Sequence, residues 1–222
     1  MHAQAAQVVN DAARRGDAGV GPPRRPGAAF TIVKRVIDVA SALALLVVTG
    51  PVLAVCAGWV WLMDGRPVLY RQWRVGRGGW LFEVYKLRTM SADAEGDGQA
   101  RFAQSRDPRV LPGCGWMRRS HVDELPQLWN VLMGQMSLVG PRPERPEMIE
   151  HLRPHLPGID RRLAVRPGIT GLAQVRNGYT NDVAGARKKL AYDLQYLRRL
   201  NLGTELRLMF ATVPKLWDRA SL

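Results

Sequence analysis

Residues 39–63 read VASALALLVVTGPVLAVCAGWVWLM and contain no charged side chain. The window exceeds the ~20 apolar residues that a helix needs to cross a bilayer. Gly50-Pro51 stands at its middle. Proline removes a backbone donor and kinks a helix. Lys34 and Arg35 precede the window; Arg66, Arg71 and Arg74 follow it. Basic flanks favour the cytoplasmic side, so both ends ask for the same side. A re-entrant helix that enters, turns at Gly50-Pro51 and returns satisfies both. Each arm is then about 12 residues, ~18 Å, short of the ~30 Å hydrocarbon core. A kinked full span and a helix buried in a soluble core are the competing readings.

Upstream, residues 1–29 are rich in Ala, Arg, Gly and Pro, and GVGPPRRPG cannot build a core. They read as a disordered basic tail, not a secretory leader. Downstream, PVLYRQWRV (67–75) and WLFEVYKLRTM (80–90) carry the β-branched and aromatic residues of strands, joined by the turn-rich GRGG. Residues 91–107 read as a polar, acidic loop. Residues 124–133 suit a helix, and 137–157 look Pro-rich and irregular. Arg166-Pro167-Gly168 has the signature of a type II turn. Residues 184–219 are helical by pattern. Leu190, Leu194 and Leu197 form one apolar stripe; Leu202, Leu206, Met209, Phe210, Val213 and Trp217 form a second. Basic residues border both, which suits a helix at the membrane interface; packing on the chain's own domain explains the periodicity equally.

The chain has 222 residues, 46% of them hydrophobic, enough for one domain and a membrane element. Lys and Arg number 32 against 19 Asp and Glu, a net charge of +13. That charge attracts a polyanion, an anionic lipid surface or a phosphorylated substrate. No nucleic-acid reading motif accompanies it, so nucleic acid is not an expected partner. Cys56 and Cys114 are too few for a disulfide framework, and no CxxC pair suggests zinc or redox work. His151 and His155 lack the Glu of a HExxH motif.

The chemistry-bearing residues crowd into RRSHVDELPQLWNVLMGQMSLVGPRP, 118–143. Asp123 and Glu124 are adjacent, and Pro126 is tolerated only in a first helical turn. A helix therefore starts near Asp123, which can be its N-cap. An ordinary acidic helix start explains this much. The same geometry suits catalysis, because an ionised Asp can attack a phosphoryl group while a neighbouring Glu holds a divalent ion. Arg142 lies between prolines in VGPRP, and its planar fork fits two phosphate oxygens. Arg118 precedes the acidic pair, and Lys86 and Arg88 end the second strand. Each basic residue alone reads as a solvated charge; their grouping weakens that reading.

Several long segments, in order, resemble the bacterial sugar transferase family (polyprenyl-phosphate glycosyl-1-phosphate transferases, or monotopic phosphoglycosyl transferases). They are KRVIDVA, the apolar run with Pro51, PVLYRQWRVGRGG, FEVYKLRTM, DPRVLPGCGWMRRS, DELPQLWNVLMGQMSLVGPRP, RPGITGLAQV and YDLQYL. The resemblance covers roughly residues 34–217. It implies a re-entrant membrane helix, an active site on the cytosolic face of the bacterial inner membrane, and Mg2+. It implies transfer of a sugar-1-phosphate from a UDP-sugar to undecaprenyl (polyprenyl) phosphate. Asp123 matches the family's nucleophile and Glu124 its metal-binding carboxylate. Arg118 and Arg142 match positions associated with substrate phosphates. Asp193 in YDLQYL matches an acidic motif position, placed with Lys86 and Arg88 among the substrate-binding candidates. The departures are Gly50-Pro51 for the usual Ser-Pro, His121-Val122 where a Leu usually precedes the acidic pair, and Glu205 for a common Asp. The extra N-terminal membrane helices and soluble domain of longer members are not expected here.

The expected fold is a helix-rich α/β monotopic membrane protein with interfacial amphipathic helices. Its expected divisions are a tail (1–29), a membrane helix (30–66) and a cytosolic-face catalytic domain (67–222). The expected partners are UDP-sugar, undecaprenyl phosphate and membrane lipid, with a homodimer admitted. The rival is an inactive membrane-anchored scaffold for polysaccharide assembly.

Overall fold

The computed structural model describes residues 27–91, 107–177 and 183–214. The tail up to residue 26, loop residues 92–106 and Trp217 lie outside the described residues. Helix α1 (Ala28–Asp64) continues through Pro51, so no loop separates two arms there. Pro51 removes only the N–H that would reach Val47, and the ladder holds on either side. One turn earlier, Thr49 Oγ1 donates to the Leu45 carbonyl at 2.7 Å. Gly65, at φ 64° and ψ −150°, ends the helix in a positive-φ conformation that glycine adopts freely.

Only 11% of the most apolar window of α1 is buried inside the structure. The reading as a soluble core helix is therefore wrong. A narrow stripe faces inward through Asp38, Ala42, Cys56 and Val60, while Val47, Val48 and Val55 are exposed. Both ends are held by the rest of the chain. Near the start, the Asp38 carboxylate accepts from Ser137 Oγ at 2.8 Å and Leu138 N at 3.1 Å. Lys34 Nζ reaches Glu205 at 2.5 Å, and Arg35 donates to the carbonyls of Val131 and Leu132. Near the end, Cys56 and Val60 pack with Leu87, Leu111, Cys114 and Met117. Trp59 Nε1 donates to Pro112 O at 3.0 Å, and Arg88 pairs with Asp64.

Strands β1 (Leu69–Val75) and β2 (Leu81–Leu87) form the expected antiparallel hairpin, with Leu69 opposite Leu87 and Val75 opposite Leu81. A short helix α2 (Gly115–Arg119) and a 3-10 turn (Val122–Glu124) lead into α3 (Gln127–Leu132). Asn130 of α3, fully buried, joins that helix to β2. Its Nδ2 donates to Glu83 O at 2.7 Å, and its Oδ1 accepts from Tyr85 N at 3.2 Å.

The region read as irregular contains β3 (Ser137–Val139) and α4 (Pro146–Leu152). Strand β3 pairs in parallel with β4 (Gly168–Thr170), after the 3-10 turn Ile159–Ala164. Gly168 therefore sits in a strand, and its φ is not positive, so the expected type II turn is absent. The glycine serves close approach instead: a Cβ there would stand 2.1 Å from Gly140 N. Helix α5 (Leu172–Asn177) follows β4. The C-terminal run splits into α6 (Val183–Arg198) and α7 (Leu202–Thr212). Asn201 caps α7 by accepting from Thr204 N at 2.9 Å. The main core joins Ala42 of α1, Phe82 and Val84 of β2, Leu128 and Val131 of α3, Leu138 and Val139 of β3, Tyr196 of α6 and Leu208 of α7.

Gly168→Ala should be strongly destabilising, by about 3 kcal/mol or more, because backbone rather than a movable side chain opposes the new methyl. Gly50→Ala meets nothing within 4 Å inside a helix. It should be neutral or stabilise by ~0.5–1 kcal/mol. Thermal unfolding of both variants in detergent checks the contrast; equal midpoints would refute the close approach.

Candidate active site

Helix α2 ends at Arg119, and His121 then takes a left-handed conformation at φ 57°. Histidine is among the residues that tolerate this region best. The bend turns the chain into the 3-10 turn that carries Asp123 and Glu124. Pro126 caps α3 three residues later, so Asp123 is not the helix N-cap and no side chain caps that helix. Both carboxylates are buried.

Their surroundings differ. Glu124 Oε1 accepts from Lys86 Nζ at 2.7 Å and from Arg142 Nη2 at 2.7 Å; Oε2 accepts from Arg142 Nη1 at 3.1 Å. Strand β2 supplies the lysine, and the loop after β3 supplies the arginine. Among the described residues, the Asp123 carboxylate makes no hydrogen bond or ion pair. Burial works to raise the pKa of Glu124, but the charges and hydrogen bonds of Arg142 and Lys86 hold it well below the usual carboxylate range. Burial, then the Glu124 charge, push Asp123 up to about 6 against the pull of Lys86, Arg118 and Arg142. Adjacent residues thus titrate apart because only Glu124 is hydrogen-bonded to cations. Burial also lowers the pKa of Lys86, which Glu124 partly restores.

The structure brings Asp123, Glu124, Lys86 and Arg142 together, with Arg118 close enough to act on Asp123 while its Nη1 lies 3.4 Å from Thr89 Oγ1. It does not bring Arg88 in. That guanidinium pairs with the Asp64 carboxylate and donates to the carbonyls of Asp64, Gly65 and Pro67, tying the end of α1 to β2. Asp193 is also separate: it is buried in α6 with Oδ2 2.8 Å from Arg162 Nη2. Sequence reasoning passed over Arg162 and Arg74. Arg74 donates to Pro143 O at 3.1 Å, and burial followed by the charge of Arg142 lowers it to about 10.

Mg2+ fits this donor set in part. The ion commonly binds one or two carboxylates, keeps several waters and takes other ligands from substrate phosphates. Glu124, the expected metal ligand, and the adjacent Asp123 would be the carboxylates available to it. No group of three or more His, Cys, Asp and Glu side chains gathers among the described residues, so there is no all-protein cage there. A Glu124 oxygen would be shared with the ion only if Lys86 or Arg142 turned toward an incoming phosphate.

A chain with this site has matches among known proteins. The family model for bacterial sugar transferases matches residues 29–219. The chain belongs to the bacterial sugar transferase family. The UDP-glucose:undecaprenyl-phosphate glucose-1-phosphate transferase of Caulobacter vibrioides is 40% identical over 193 residues, covering 86% of this chain and 72% of that protein. The exopolysaccharide production protein PSS of Rhizobium leguminosarum bv. phaseoli is 39% identical over 191 residues, with 82% and 94% covered. The UDP-N-acetylgalactosamine-undecaprenyl-phosphate N-acetylgalactosaminephosphotransferase of Aeromonas hydrophila is 36% identical over 188 residues, with 85% of this chain covered. The match spans only 44% of that protein's length.

A carboxyl whose pKa rises on folding binds its proton more tightly in the folded state. Its stabilising contribution is complete below the ordinary carboxyl pKa and is lost as pH rises through about 6. Asp123→Asn should therefore unfold at higher temperature than wild type at pH 7.5, by on the order of 2 kcal/mol. The difference should shrink toward pH 4. Thermal unfolding in EDTA across that range is the measurement; a less stable Asn variant at pH 7.5 would contradict the assignment.

Proposed function

We propose that this chain transfers a sugar-1-phosphate from a UDP-sugar to undecaprenyl phosphate through a covalent phosphosugar intermediate on Asp123. The product initiates exopolysaccharide or other glycoconjugate synthesis at the cytosolic face of the bacterial inner membrane. The observation that carries the reading is the asymmetry between the two carboxylates. A nucleophile needs an uncommitted anionic oxygen, and Asp123 has one beside a cluster of cations. A carboxyl at about 6 is mostly ionised near neutral pH yet more basic than an ordinary carboxylate.

In the first step an Asp123 oxygen forms a bond to the donor's β-phosphorus. The bond from that phosphorus to the oxygen bridging to uridine monophosphate breaks, and uridine monophosphate leaves with the electron pair. In the second step an oxygen of undecaprenyl phosphate attacks the same phosphorus. The bond to Asp123 breaks, the carboxylate is restored, and the diphosphate-linked sugar departs on the lipid. Arg142 and Lys86 bind the equatorial phosphate oxygens, exchanging Glu124 for substrate charge. Mg2+, held by Glu124 with Asp123, would supply charge neutralisation on the diphosphate. The relatives' names include both glucose and N-acetylgalactosamine donors, so the sugar is left to a panel of UDP-sugars.

The re-entrant topology belongs to the same proposal. Both ends of α1 are held by one body of the chain, whereas a full span would separate them by ~30 Å of hydrocarbon. Leu206 and Phe210 of α7 and Val213 directly after it are exposed, which suits contact with the membrane interface.

Incubation with a radiolabelled UDP-sugar and no lipid acceptor should release uridine monophosphate and leave label on the protein. Intact-protein mass spectrometry should find the adduct on Asp123, and Asp123→Asn should abolish it. Continued turnover in Asp123→Asn without any adduct would reject the covalent route. For topology, Phe30→Cys and Tyr70→Cys should both resist a membrane-impermeant thiol reagent in intact cells. Periplasmic labelling at either position would reject the re-entrant arrangement.

A further inference from the structure

Main-chain carbonyls of four successive residues, Pro141-Arg142-Pro143-Glu144, are each held by a donor from elsewhere. Gly168 N donates to Pro141 O at 2.9 Å, and Val75 N to Glu144 O at 3.0 Å. Arg162 Nη2 donates to Arg142 O at 2.8 Å, and Arg74 Nη1 to Pro143 O at 3.1 Å. The prolines offer no N–H, so carbonyls are their only polar main-chain handles. The fixing of this strap therefore depends on these four donors, and two of them are arginine side chains.

Arg162 is the more deeply set of these arginines. A buried guanidinium needs counter-charge. Asp193 Oδ2 lies 2.8 Å from the Nη2 atom that also serves the Arg142 carbonyl, and Glu144 Oε1 lies 3.7 Å from Nη1. Both Arg162 and Asp193 are buried. The connected path runs from α6 through Asp193 and Arg162 to the backbone of Arg142, whose side chain then meets Glu124.

We propose that Arg162, held in place by Asp193, is a positioning residue that aims Arg142 at the acidic pair through its main-chain carbonyl. Asp193 does not touch the substrate in this arrangement. The kinetic consequence rests on the reading of Arg142 as a ligand of the donor's phosphates; the placement of Arg142 does not. Arg162→Lys keeps the charge opposite Asp193 but loses the planar guanidinium whose Nη2 donates to the Arg142 carbonyl while Nη1 faces Glu144. Asp193→Asn keeps the size and removes the charge.

The test uses the full chain in detergent. The rate at which phenylglyoxal modifies Arg142 is followed by peptide mass spectrometry in wild type, Arg162→Lys and Asp193→Asn. Arg142 should react severalfold faster in both variants, while Arg88 keeps its wild-type rate. In the transfer assay, KM for the UDP-sugar should rise about tenfold, more than kcat falls, the pattern of weakened substrate binding. In an Arg142→Lys background, Asp193→Asn should have little further effect, because both changes remove the same contact. An unchanged Arg142 rate in both variants overturns the proposal. So does an equal rise at Arg88, which marks general loosening, or an undiminished Asp193→Asn effect in the Arg142→Lys background. If Asp193→Asn fails to fold, Arg162→Lys carries the measurements with the ion pair retained. If wild type releases no uridine monophosphate from any UDP-sugar, the functional reading fails, and the modification rates still support or overturn the positioning role.

Discussion

A carboxylate removed from water stays ionised only where positive charge compensates it, and Glu124 is held by two cations from distant segments. Lys86 comes from the edge of a hairpin 38 residues earlier, and Arg142 from a loop 18 residues later. Loss of both partners would leave the buried Glu124 charge uncompensated; loss of one leaves it a single cation and removes part of its hydrogen bonding. The rest of the domain brings these groups to one point. Asn130 joins the helix after the acidic pair to β2, where Lys86 resides. Gly140, just after β3, and Gly168 of β4 let two backbones approach closely where Pro141 begins. Helix α1 docks on β3 through Asp38, so it supports the strand from which Arg142 departs.

This arrangement separates two roles that the sequence writes side by side. Glu124 organises the cations, and Asp123 stands next to them without being neutralised by a direct contact. Burial without a partner makes a carboxyl more basic, and nearby positive charge keeps it ionisable. The 3-10 turn matters because it places both carboxylates inside the protein, whereas exposed neighbours on a helix would largely be screened by water.

The β1–β2 hairpin was legible because its strands are seven residues each and its turn is glycine-rich. Strands β3 and β4 have three residues each and adjoin prolines, too little sequence for alternation to register. Arg166-Pro167-Gly168 misled because the residues that favour a turn here meet another need, the approach of Gly168 to Gly140. Arg88 groups with Lys86 in the sequence because both stand at the end of the expected second strand. Strand β2 ends at Leu87, however, and Arg88 turns to the end of α1. Asn201, with Thr204 and Glu205 after it, was a readable helix start within a longer apolar pattern. Arg162 and Arg74 had no local signature: in a chain with 32 basic residues, only contacts across the fold distinguish them.

The docking of α1 also imposes an order on synthesis. Asp38 is made 99 residues before Ser137, and Lys34 is made 171 residues before Glu205. At about 5–20 residues per second, the later partners follow the helix by several to tens of seconds. Lys34 and Asp38 lie one helical turn apart, with Nζ 3.7 Å from Oδ1, so each provides the other's nearest opposite charge during that interval. Helix α1 thus carries its own neutralising pair, and the ribosome must deliver the chain as far as Glu205 before the helix's permanent contacts are complete.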